Sequence, residues 1–486
     1  MENSSVPQMD FEAGFYNTIA GALRCTKITR HGINPATEQP NPEVPVAARL
    51  DVENAVQAAR SAFGTWSKQP WAERRAAVHS FADAIEHYQE EFATLLTKEQ
   101  GKPIQFAREE VKAGVRWLRE LSDLELKDET LVAGNENGKN TIVRYTPLGV
   151  VAGIVPWNFP IHLACGKIAP SLVTGNTIII KPSPFTPYCD LKLGELAQAF
   201  FPPGVLQVIS GDDQLGPWLT SHPEIDKISF TGSTATGKAV MSSAAKTLKR
   251  ITLELGGNDP AIICRNVNVE AVAKKVSKLA FFNSGQVCVA VKRVYVHEAI
   301  YGRFRDYFVR FTESIRSGEG QREDVFLGPV QNKMQYEKVN GFISDGIQAE
   351  WAFATGGRNS KRGAGYFITP TIVDRPPEEA RIVREEPFGP IVPLMSWSSE
   401  QDVVRRANDT RMGLGASVWS NDLGEAEHIA RQLEAGSVWI NTHQEGDPRA
   451  PFGGHKESGL GYEWGLAGLK SYCNVQSLFL STRIEV

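Results

Sequence analysis

From Gly149 onward the chain alternates short apolar runs with helical stretches, and this alternation constrains the fold more than any single residue does. Thr177-Ile-Ile-Ile-Lys181 is β-branched, apolar and too short for a helix, the pattern of a strand buried on both faces. Pro187 to Phe201 reads as a helix, Val205 to Ser210 as a second strand, Lys227 to Thr231 as a third, and Ser233 to Lys249 as the helix after it. Strands separated by helices pair in parallel through right-handed crossovers. This predicts an α/β fold with a Rossmann-like nucleotide-binding unit. A second α/β region follows, from about Glu254 to about Lys456. Ahead of both, Asp51 to Thr65 and Trp71 to Lys98 show helical periodicity with charged faces. At 486 residues the chain exceeds one hydrophobic core, so two or three domains are expected. Asn140 to Tyr145 and Asn474 to Leu480 read as strands outside both regions; a bare edge strand invites pairing with another subunit.

Composition narrows the function classes. A net charge of -4 with no basic block argues against nucleic acid as a main partner. Met1 to Gly14 is polar and acidic, unlike a secretory signal. The longest apolar stretch, Gly149 to Pro170, is interrupted by Pro156, Asn158, Pro160 and Lys167, so no membrane span is expected. Cys25, Cys165, Cys189, Cys264, Cys288 and Cys473 are scattered without a CxxC, which points to neither a zinc site nor a disulfide framework and fits a reducing, cytoplasmic setting.

Phe230-Thr231-Gly232-Ser233-Thr234-Ala235-Thr236-Gly237-Lys238 follows a strand and opens a helix. Gly232 permits a tight turn, and the helix start offers free N–H groups to a phosphate. The segment lacks the GxGxxG fingerprint. It also reads as GxxxxGK, but Ala239 stands where a nucleotide hydrolase of the P-loop type needs a hydroxyl for magnesium. Without a ligand, the same segment would be a turn packing a helix on a sheet.

Phe281-Phe282-Asn283-Ser284-Gly285-Gln286-Val287-Cys288 places one cysteine after a small polar turn. A thiol there can be partly exposed and reactive, although most lone cysteines are inert packing residues. Three further segments accompany it: Pro156-Trp157-Asn158-Phe159-Pro160, Lys181-Pro182-Ser183 and Leu253-Glu254-Leu255-Gly256-Gly257. From about residue 30 to the C-terminus, with these motifs in the family's order, the chain resembles the aldehyde dehydrogenase superfamily.

The resemblance implies a cofactor-binding domain over 1–126 and 148–253, a catalytic domain over 254–456, and a β oligomerisation arm over 127–147 and 470–486 that makes a homodimer or homotetramer. It implies oxidation of an aldehyde to the acid with NAD(P). Cys288 is then the nucleophile, Asn158 the oxyanion donor beside the Cys288 N–H, Glu254 the base for thioester hydrolysis, and Glu463 a second glutamate that relays protons. Acylating relatives lack the glutamate at position 254, so its presence implies hydrolysis. For the cofactor it implies Pro156, Trp157, Lys181, Ser183, Gly211, Gly232, Ser233, Gly237 and Leu255, with Glu386 on the nicotinamide ribose and Phe388 near the ring in Glu385-Glu386-Pro387-Phe388-Gly389-Pro390. Lys181 would hold a cofactor ribose hydroxyl and also bears on catalysis. NAD is expected, but Pro184 stands where relatives carry a glutamate that repels a 2′-phosphate, so NADP stays open.

The substrate side departs from the pattern. Gly166 replaces a tunnel tryptophan and Gly446 a frequent aromatic. With Phe159, Leu163, Val287, Val289, Gln444 and Phe452 these imply a tunnel wide enough for a bulky or polar aldehyde, unless His162, Leu163 or loop residues refill the space. Two other classes remain as alternatives, a catalytically silent relative on the same fold and a P-loop hydrolase. For Glu463 the simpler account is a surface helix glutamate, and for Cys165 a packing residue.

Overall fold

A computed structural model of the chain describes residues 6–132, 139–357 and 363–481. Residues 1–5 of the polar N-terminus, 133–138 and 482–486 of the expected arm, and 358–362 lie outside the described residues. The β-branched runs form a parallel sheet in the order Arg250–Glu254, Lys227–Thr231, Val150–Ile154, Thr177–Lys181 and Leu206–Val208. The short strand Gly459–Leu460 closes one edge antiparallel, opposite Leu253 and Glu254. Register brings Ile154 beside Lys181 and Phe230, and Thr231 beside Glu254. Four of the motifs picked out in the sequence therefore leave the sheet along one carboxyl edge, where ligands bind in open α/β sheets.

A second sheet runs Ala352–Thr355, Thr371–Asp374, Ile391–Trp397, Val291–His297, Asp259–Ile263, Gly415–Trp419 and Ser437–Ile440, all parallel except the first. The α/β expectation holds. Lys139–Pro147 pairs with Cys473–Ser481 and Glu129–Val132 in a separate antiparallel sheet. Its outer side chains are bare: Phe479 is 80% exposed and Val475 65%. Among the described residues no helix is long and apolar enough to cross a membrane.

Boundaries shift in two instructive places. The helix expected from Trp71 to Lys98 is two, Trp71–His87 and Gln89–Gln100. Between them Tyr88 leaves helical geometry, donates its hydroxyl to the Pro7 carbonyl at 2.7 Å and packs on Phe11. The break is thus made by a tertiary contact, not by a Gly or Pro. The helix expected over Ser233 to Lys249 spans Thr234–Ala245, with Ser233 as its N-cap.

Candidate active site

Helix Val269–Phe281 ends beside a turn in which Asn283, Ser284 and Gly285 all have positive φ, at 50°, 57° and 71°. Asn tolerates this region, Ser rarely does, and only Gly is at ease there. Side chains hold the turn in place. Ser284 Oγ donates to the Gly328 carbonyl at 2.8 Å, and Gln286 Oε1 accepts from the Gln331 N–H at 2.9 Å. A Cβ on Gly285 would lie 2.2 Å from the Gly389 carbonyl oxygen, so this turn also rests against the Glu385–Pro390 segment. Gly285→Ala is expected to destabilise the protein by about 3 kcal/mol, combining backbone strain with the clash. Thermal unfolding beside the parent measures this, and an unchanged transition would refute it.

The turn delivers Cys288 half-buried on the wall of a cavity of about 730 Å³ that Asn158, Glu386 and Phe388 also line. Burial pushes the Cys288 thiol up to about 12, the charge of Lys292 pulls it down, and Glu386, Glu254 and Asp259 push it up further.

Asn158 is buried and donates Nδ2–H to the Gln286 carbonyl at 3.0 Å, in the turn before Cys288. Its own carbonyl accepts from Lys102 Nζ at 3.1 Å and from Asn283 Nδ2 at 3.3 Å. Lys102 is ion-paired with Glu110 in a fully buried pair and lies 3.7 Å from the Phe159 ring centre. Glu110 in turn accepts the Ile161 and His162 N–H groups at 3.1 and 3.3 Å, capping helix Pro160–Val173. Asn158 is therefore held by a buried charge pair, Lys102 in the connection before helix Ile104–Ser122 and Glu110 on it. No sequence motif marks that pair, and its burial reveals it.

Glu254 ends its strand buried, and among the described residues neither carboxylate oxygen has a hydrogen-bond partner. Burial first, then the neighbouring charge of Glu463, holds its carboxyl well above the usual range, against the pull of Lys167. Glu463 is only 3% exposed, which overturns the surface-helix account of it. It pairs with Lys167 at 3.0 Å and accepts from the Ser229 hydroxyl, while Lys167 also donates to Ser229 Oγ at 2.9 Å. Lys167 was met in the sequence only as a charge interrupting an apolar stretch.

The residues expected to meet a cofactor follow the sheet edge. Ser233 Oγ accepts from the Thr236 N–H at 3.2 Å, leaving the start of the helix facing the cavity through Gly232 and Ser233. A Cβ on Gly237 would lie 2.5 Å from Leu255 Cδ2, so this glycine lets the helix pack tightly. Lys238, the lysine of the GxxxxGK reading, turns away to pair with Glu457 at 3.0 Å. Lys181 is buried at its strand end and donates to the Pro182 carbonyl at 2.9 Å; burial lowers its ammonium to about 8. Ser183 is buried next to it, and Gly211 lies against Leu215 after the adjoining strand. Pro156 and Trp157 line the cavity, with Trp157 edge-on to Phe388 at 5.3 Å. Glu386 accepts the Gly257 N–H at 3.2 Å, and a Cβ on Gly256 would lie 2.4 Å from Glu386 Oε2. A helix start, a strand-end lysine and a carboxylate on bare glycine backbone form a cradle that fits a nicotinamide dinucleotide.

On the substrate side, Phe159, Leu163, Val287, Val289, Gln444, Gly446 and Phe452 all line the cavity. Gly166 does not: it is buried, and a Cβ there would meet Trp464 Nε1 at 2.9 Å and Trp117 at 3.7 Å. At Gly446 a Cβ would meet the Trp117 ring at 3.3 Å. The bulk missing from both positions is thus partly returned by Trp117 and Trp464, which pack on each other at 5.2 Å, on His162, and through Trp464 on Phe452. Burial of His162, with the charge of Lys102, lowers its imidazole to about 4, so it joins this wall as a neutral ring. Cys165 is buried and packs against Gly114, as expected of a space-filling residue.

Comparison with known proteins agrees with this geometry. The family described as the aldehyde dehydrogenase family matches residues 26–478. The aldehyde dehydrogenase LUC3 of Fusarium sp is 44% identical over 474 residues, 97% of this chain and 100% of that protein. Phenylacetaldehyde dehydrogenase of Pseudomonas fluorescens is 37% identical over 92% of each chain. The NAD+ complex of aldehyde dehydrogenase from Bacillus cereus superposes with a TM-score of 0.94 at 34% identity, covering 97% of this chain and 98% of that one. The chain belongs to the aldehyde dehydrogenase family.

Proposed function

We propose that this enzyme oxidises a bulky aldehyde to its carboxylic acid with NAD, through a covalent thioester on Cys288 that water hydrolyses. The observation that carries the reading is the shared cavity, lined by Cys288, Asn158, Glu386 and Phe388 and by Leu255 and Gly256, the two residues that follow the buried Glu254.

The Cys288 thiol gives its proton to water in the open cavity and the sulfur adds to the aldehyde carbon. The oxygen of the resulting thiohemiacetal takes hydrogen bonds from Asn158 Nδ2 and the Cys288 N–H, donors fixed in advance by the buried Lys102–Glu110 pair and by the turn. When bound, the nicotinamide ring supplies the acceptor for the hydride that leaves this carbon. Glu386 would hold the ribose, Phe388 and Trp157, edge-on to each other, would bound the space for the ring, and Lys181 and the start of helix Thr234–Ala245 would hold the distal half. Glu254, once ionised, takes a proton from water as it attacks the thioester carbonyl, and Glu463 with Lys167 passes that proton inward. The acid departs and the thiol is restored.

The aromatic wall of Trp117, His162, Phe452 and Trp464 favours an apolar, ring-bearing aldehyde over a short one. Pro184 supplies no carboxylate against a 2′-phosphate, so NADP is the comparison to make. The bare strands Glu129–Val132 and Cys473–Ser481 pair with a second copy of the chain.

The test is reduced-nicotinamide formation with aldehydes from acetaldehyde to phenylacetaldehyde and an aminoaldehyde, each with NAD and NADP. Acid product with a preference for bulky substrates supports the reading. Absence of turnover with every pair would favour a silent relative.

A further inference from the structure

Burial opposes ionisation of the nucleophile, and Lys292 is the group placed to offset it. Its side chain is 3% exposed, starts strand Val291–His297 one turn of chain beyond Cys288, and is committed at two points. Nζ donates to the Cys288 carbonyl oxygen and pairs with Glu386 Oε1 at 3.0 Å. The same ammonium lies 6.0 Å from the Phe388 ring centre. It thus bridges the backbone of the nucleophile and the carboxylate assigned to the cofactor ribose, and its charge reaches the thiol.

We propose that Lys292 is a positioning residue for the nucleophile: its charge favours the Cys288 thiolate, and Glu386, by neutralising that charge, governs how much of it the sulfur receives. This rests on the assignment of Cys288 as nucleophile. A lysine buried against a single carboxylate shares its charge with whatever else lies close. The other ionisable groups around the thiol act against ionisation. Glu254 reaches it from the neighbouring sheet and Asp259 from the adjacent strand. Asp259 is itself buried, raised to about 7, and pulled down by Lys292. His443, 3.7 Å from Asp259 and bonded to the Val289 carbonyl at 2.8 Å, is lowered to about 3 by burial and carries no charge. Lys338 donates to the Glu386 backbone carbonyl at 2.8 Å.

The readout is the rate at which iodoacetamide labels Cys288 in the cofactor-free enzyme, followed across neutral to alkaline pH by mass spectrometry of its peptide. Peptide resolution is needed because Cys25 is also exposed. Lys292→Met is expected to slow labelling about tenfold at neutral pH and move the inflection to higher pH, while Lys292→Arg stays within about threefold of the parent. Glu386→Gln is expected to act in the opposite direction, speeding labelling by about threefold and moving the inflection down. A purely structural role for Lys292 would not give opposite signs. An unmoved inflection in Lys292→Met overturns the proposal, as does slower labelling in Glu386→Gln, which carries the test alone if the methionine variant does not fold. If instead the parent Cys288 resists labelling at every pH while turnover persists, the assignment of the nucleophile fails, and that outcome is distinct from both.

Discussion

Cys288→Ala is expected to lose turnover to background, by roughly 10⁵-fold or more, while keeping its fold and its cofactor affinity. The aldehyde carbon holds its hydrogen until a bond to sulfur converts it to an alkoxide. No other cysteine can substitute, because Cys165, Cys189, Cys264 and Cys473 are buried and Cys25 is away from the cavity lining. Alanine adds no volume and leaves the turn at Asn283–Gly285 and its bonds to Gly328 and Gln331 untouched. The checks are steady-state reduced-nicotinamide production, thermal unfolding, and cofactor binding by fluorescence quenching. Residual turnover within a hundredfold of the parent would remove Cys288 from the mechanism.

Glu254→Gln separates the two halves of the reaction. Glutamine preserves shape but cannot take a proton, so steady turnover is expected to fall about 10²- to 10⁴-fold. A first burst of about one reduced nicotinamide per site is expected to remain, because acylation of Cys288 precedes the hydrolytic step. Rapid-mixing absorbance gives the burst, and intact mass gives the acyl-enzyme. The pH dependence follows from the direction in which the carboxyl is shifted. Burial holds Glu254 protonated well above the ordinary carboxylate range, and a base works only when ionised. Hydrolysis in the parent therefore accelerates as pH rises through that raised value, and the glutamine variant loses this dependence. A variant with neither burst nor acyl-enzyme would place Glu254 before hydride loss instead.

The strands were legible because each is a β-branched run bounded by turn residues; Lys227–Thr231 appears with its expected ends. The motifs of the site were legible as residue types for the same local reason. What escaped the sequence depends on packing between distant elements. Glu463 sits between Tyr462 and Trp464 and shows no local sign that Lys167, on helix Pro160–Val173, will pair with it in the interior. Gly166 and Gly446 were read as missing bulk, yet Trp117 and Trp464 approach from other segments and occupy much of it. Lys292 has the look of an ordinary charged residue at a strand start until Glu386 is seen against it.

Trp464, which closes the substrate wall, is followed directly by helix Gly465–Lys470 and then by the exposed strand Cys473–Ser481. Lys470 is itself tied to Glu129 of the arm at 3.0 Å. Whatever takes hold of that outer strand therefore pulls on the same short lever that ends at the aromatic wall. With the arm paired to a second copy as proposed, dilution or a blocked arm is expected to shift which aldehydes are accepted without any change to the reacting groups, and a substrate panel run across protein concentrations checks it.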